Sequence, residues 1–94
     1  MNYIPKSPHY RMKLFSSMQM VWSVRKDTFQ LRERLMKLKK VLYLIGVRHN
    51  LDVSDAFTLV DRLIVKLGRN ASYEDYRDEL LQLKKYIEAI IRHI

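Results

Sequence analysis

No cysteine occurs in the sequence, which excludes disulfide scaffolds, zinc fingers and thiol catalysis. A small secreted domain is usually stapled by disulfides, so a cytoplasmic setting is expected. Only two glycines and two prolines are present. No glycine-rich phosphate cradle exists, and little in the chain interrupts a helix. Long apolar runs are also missing. The longest, Val41-Leu42-Tyr43-Leu44-Ile45-Gly46-Val47, falls far short of a membrane span. Met1–Lys6 is not followed by an unbroken apolar stretch, so no signal peptide is expected.

What is present is hydrophobic and basic. Apolar residues make up 48% of 94 positions, too many for a disordered chain, and the length suits one domain over 1–94. The net charge of +8 is unevenly placed. Residues 1–50 hold eleven Lys/Arg against Asp27 and Glu33, a net +9, whereas residues 51–94 hold seven basic and eight acidic groups, a net −1. A field of this kind attracts phosphate, acidic proteins or an anionic membrane surface.

The spacing of apolar residues predicts four helices and no strand. Residues 1–7 are expected to be an extended N-terminal segment, with Ser7 as cap and Pro8 opening the first helix. That helix should run to about Val24, with Phe15, Met18 and Trp22 on one side, joined by Met12 and Leu14. The second should run from Asp27 to Arg48, capped by Asp27 or Thr28, with Leu31, Leu35, Leu38, Leu42 and Ile45 in one stripe. Its last two turns are apolar nearly all round, which implies burial on several sides or an interface.

The third helix begins after Leu51, with Asp52 and Asp55, or Ser54, as its cap. Ala56, Leu59, Val60, Leu63, Ile64 and Leu67 line its inner face, and a left-handed Gly68 is expected to end it. The fourth starts at Ser72 with a capping-box pattern to Asp75. Tyr76, Leu80, Leu83, Ile87, Ile90 and Ile94 form its stripe, and Glu88 and Arg92 sit at ion-pair spacing. Short connections then imply an all-α, antiparallel up-and-down four-helix bundle. Trp22, Phe15, Tyr43 and Phe57 are expected in its core, and Tyr3 and Tyr10 are placed to fold back over it.

Catalytic signals are missing. His9, His49 and His93 have no second ligand at metal spacing, and Ser16-Ser17 forms no nucleophile elbow. Glu74, Asp75, Asp78 and Glu79 belong to a first helical turn, where the helix dipole favours carboxylates. They also argue against a helix-turn-helix over 63–73, since the would-be recognition helix would be repelled by phosphate. No enzyme, metal or cofactor is expected.

The expected activity is binding. Arg34, Lys37 and Lys40 lie along one flank of the second helix, and Arg32 and Lys39 along the other, with Arg25 and Lys26 extending the positive surface. These seven residues are the candidate partner-binding surface. Over Trp22–Lys26, Arg34-Leu35, Lys37 and Lys40 the chain resembles, with a gap, the helical RNA-binding domain of influenza nonstructural proteins; it departs at 41–47.

A second resemblance covers more of the chain. Thr58–Leu67 and Tyr73–Leu80 resemble the third helix and the start of the fourth helix of immunity proteins for pediocin-like bacteriocins. The architecture agrees over roughly 25–90. The loop between those helices is shorter here, and the family continues beyond its fourth helix where this sequence ends at Ile94. The resemblance implies a basic cytosolic bundle that protects a cell by protein contact at the inner membrane face. The expected partners are therefore a protein or a nucleic acid, with peripheral contact to an anionic membrane, and the oligomeric state is open. Inhibition of a host protein by a phage or plasmid factor is a further reading of the same features.

Overall fold

A computed structural model describes residues 8–94; the expected extended segment 1–7, the Ser7 cap and Tyr3 lie outside the described residues. Four helices follow one another: α1 (Pro8–Ser23), α2 (Thr28–Arg48), α3 (Ser54–Leu67) and α4 (Tyr73–His93). No strand occurs among the described residues. Each helix packs on the next, and α1 closes against α4, which makes the all-α bundle anticipated from the spacing.

The core is built from stripes at three- and four-residue intervals. Leu31, Leu35, Leu38, Val41, Leu42 and Ile45 are buried on α2, and Tyr76, Leu80, Leu83, Ile87 and Ile90 on α4, with Ile94 just beyond it. On α3 the buried residues are Ala56, Leu59, Val60, Leu63 and Leu67, with Ile64 packed at their edge. Fully burying a leucine or isoleucine contributes about 1.5–3 kcal/mol.

On α1 the stripe is displaced. Leu14, Met18 and Val21 are buried, Trp22 is half-buried, and Met12 and Phe15 are exposed, contrary to the expected inner face. The positions 14-18-21 and 15-18-22 are both helical stripes and share Met18, so only the packing partners select one. Tyr43 is also exposed and Phe57 only half-buried, so the aromatics expected in the core mostly line its surface; among the described aromatics Tyr76 is the fully buried one.

The helix ends follow local chemistry. The Asp27 carboxylate accepts from the Gln30 backbone N–H at 3.1 Å, capping α2. At α3 the expected box with Asp55 does not form. Instead Asp52 accepts from the Ser54 N–H at 2.9 Å and its hydroxyl at 2.6 Å, bonds that hold the Asp52 carboxyl below the ordinary range. At α4 the Asp75 carboxylate accepts from the Ser72 N–H at 2.8 Å and the Ser72 hydroxyl at 3.1 Å. These bonds, the backbone one first, lower the Asp75 pKa, with help from Lys66.

Gly68 corrects the expected left-handed stop: its φ of −71° is right-handed. The positive φ angles fall on asparagines, Asn50 at 49° and Asn70 at 60°. Asparagine tolerates that region, and each lies past the end of a helix, where the chain must reverse. Gly46 has a different task. A Cβ there would stand 3.1 Å from Val53 Cγ2, so its lack of a side chain lets the 49–53 loop lie against α2. Near the end of α4, Arg92 Nε donates to the Glu88 backbone carbonyl at 3.3 Å, in place of the ion pair expected between those side chains.

Candidate binding surface

The turn after α1 spends its charges on rings and backbone. The Arg25 guanidinium lies 4.9 Å from the Trp22 ring centroid and donates to the Trp22 carbonyl at 3.0 Å. Lys26 sits 5.4 Å from the Tyr73 ring centroid. The Arg25 carbonyl accepts a hydrogen bond of 2.6 Å from the Tyr76 hydroxyl, tying α4 to this turn. Burial, then the neighbouring Tyr73 and Asp27 charges, raise the Tyr76 pKa.

Along α2 the basic residues divide. Lys39 turns toward α3, where its ammonium pairs with Asp61 at 2.7 Å and lies 5.1 Å from the Phe57 ring centroid. Arg32 stays on the same side, near Gly68 at the far end of α3. Arg34, Lys37 and Lys40 hold positions away from that seam, and with Arg32 they have no carboxylate within ion-pair distance among the described residues. Of the seven basic residues singled out by sequence, Lys39 alone pairs with an acid of the second half. Two of the late acids are occupied elsewhere: Glu79 bridges Lys66, with Arg62 at 4.0 Å, and Asp78 pairs with Arg77.

What the sequence reading missed lies between these cations. Phe29, Tyr43, Leu44 and Val47 are exposed on the side of α2 opposite the core stripe, and Met36 is half-buried there. Phe29, Met36 and Tyr43 recur every seven residues, as do Lys40 and Val47, so a second and outward stripe runs the length of the helix. That period was the available signal, hidden because 41–47 reads as apolar on all sides. A shallow depression lined by Met36, Lys39, Lys40, Tyr43, Leu44 and Phe57 joins this stripe to α3. Glu33 is the one acid on the exposed face of α2.

Among the described residues no three His, Asp or Glu side chains gather in a way that could hold a metal ion. Tyr10 is half-buried, with the His49 ring at 5.7 Å edge-on and His9 at 5.4 Å. No described helix is long and apolar enough to cross a membrane. Comparison with protein-family models, curated proteins and solved structures finds no match to this chain.

The stretches that resemble the immunity proteins are occupied with holding the bundle. Asp61 binds Lys39, Lys66 and Arg62 meet Glu79, and Tyr76 bonds the first turn.

Proposed function

We propose that this chain is a non-enzymatic cytoplasmic binding protein whose working surface is the outward face of α2. The partner is a protein that presents an acidic, amphipathic helix. One observation carries this reading: exposed Phe29, Tyr43, Leu44 and Val47 share a face with Lys37 and Lys40, which have no acidic partner among the described residues. Apolar side chains spaced by sevens match the contact pattern of a helix laid along a helix. The flanking cations select for an acidic one.

Other occupants fit less well. A second copy, related by a two-fold axis, would bring Lys37 and Lys40 toward like charges. A nucleic-acid backbone would satisfy the lysines and leave Leu44 and Val47 in water. An anionic membrane would leave the depression beside Tyr43 unfilled, whereas side chains of a docked helix can enter it. An immunity-type role is the specific form of this proposal that the four-helix architecture supports, and inhibition of a host protein would use the same face. In the immunity form, expression in a bacteriocin-sensitive bacterium confers resistance.

The direct test is fluorescence anisotropy with a labelled designed peptide as long as α2, bearing leucines on one face and glutamates beside them. A mixed-sequence DNA duplex and phosphatidylglycerol vesicles are measured in parallel over a salt series. The peptide is expected to bind most tightly and to retain affinity at high salt, because apolar burial is not screened. Tighter binding of duplex or vesicles at the same salt concentration would overturn the proposal.

A further inference from the structure

The seam between α1 and α4 holds a feature that the α2 surface does not use. A groove of about 540 Å³ runs along it, walled by Phe15, Met18 and Trp22 from α1 and by Lys84, Ile87 and Ile91 from α4. Its volume lies in the range of small-molecule sites. Phe15 is 53% exposed at one end, and Trp22 is half-buried at the other. Their separation of seven positions spans about 10 Å of helix, the reach of a medium-length acyl chain.

Charge is concentrated at the tryptophan end. Lys84 Nζ lies 4.5 Å from the Trp22 ring centroid, and the Arg25 guanidinium lies 4.9 Å from the same ring. Two cations therefore share one indole. Neither has a carboxylate within ion-pair distance among the described residues, although Glu88 lies one turn along the groove from Lys84. A ring quadrupole offsets part of the repulsion between two such charges, whereas an anion beside them would offset much more. Glu88 repels an anion seated midway, so the head group is confined to the Trp22 end and the tail is directed toward Phe15 and Ile91.

We propose that the α1/α4 groove binds one medium-chain fatty-acid carboxylate, its head beside Lys84 at the Trp22 end and its chain against Phe15, Met18, Ile87 and Ile91. Apolar burial supplies the affinity, and the Lys84 ammonium, with the Arg25 charge nearby at Trp22, selects an anionic head over a neutral or cationic one.

Trp22 is the sole tryptophan of the chain, so its fluorescence reports this groove. The experiment titrates the full chain with decanoate below its micellar concentration, with decanol and decyltrimethylammonium as chain-matched controls. Decanoate is expected to give a saturable shift in Trp22 emission, with decanol weaker and decyltrimethylammonium weakest. Lys84→Gln should weaken decanoate by about fivefold and leave decanol unchanged. Phe15→Ser, at an exposed site, should weaken both. No saturable shift with decanoate, equal affinity for the cationic control, or a Lys84→Gln variant that binds decanoate as tightly as the parent would each overturn the assignment.

Discussion

A phenol placed in an apolar interior needs an acceptor for its hydroxyl, and Tyr76 finds one in the Arg25 carbonyl. Tyr76→Phe leaves that carbonyl without its donor and should cost about 1–2 kcal/mol, read as a lower urea midpoint. The same residue sets an alkaline limit. Its pKa is raised in the folded chain, so its contribution to stability is whole below the ordinary tyrosine value of 10.0 and is lost as pH rises through the folded value. The parent should therefore lose stability above about pH 10, and Tyr76→Phe should lose less over the same interval. The two glycines divide in sign. Gly68 has helical angles, and a Cβ there would meet nothing closer than 3.4 Å, so Gly68→Ala should stabilise by about 0.4–1 kcal/mol. Gly46→Ala must displace Val53 and should give no such gain; thermal melts of the two variants compare them directly.

At the scale of the helix, α2 has two stripes with different fates. Leu42 is fully buried, so Leu42→Asp strands a charge among apolar neighbours and should unfold the protein. Tyr43→Asp, one residue on, faces solvent and should leave the circular-dichroism spectrum and the melting temperature nearly unchanged. A folded Leu42→Asp monomer would contradict the packing described here. The same pair of residues marks how far the sequence could be read. Stripes that alternate cleanly with charge, as on α3 and α4, led straight to the buried residues. Where apolar residues surround the helix, as at 41–47 and along α1, periodicity cannot choose a face, and Phe15 and Tyr43 were expected inside. Helix ends divided in the same way. Asp27 and the Ser72–Asp75 pair act within one turn of chain and were legible, whereas the turn at Gly68 and Asn70 depends on how α3 and α4 meet.

For the molecule as a whole, the arrangement separates structural charge from available charge. Two acids of the second half, Asp78 and Glu79, pair within α3 and α4, and Asp61 reaches α2 through Lys39. The basic excess of the first half was countable from composition, but which cations remain available was not, because pairing with Asp61 or stacking on Trp22 and Tyr73 depends on the packed bundle. The central claim is that the outward face of α2, cations and apolar residues together, is where this protein meets its partner. Anisotropy of the labelled acidic helix against the parent and a Tyr43→Asp, Val47→Asp double variant tests it most directly. At least about a tenfold loss of affinity is expected in a variant that melts at the parent temperature. Undiminished binding by that folded variant would contradict it.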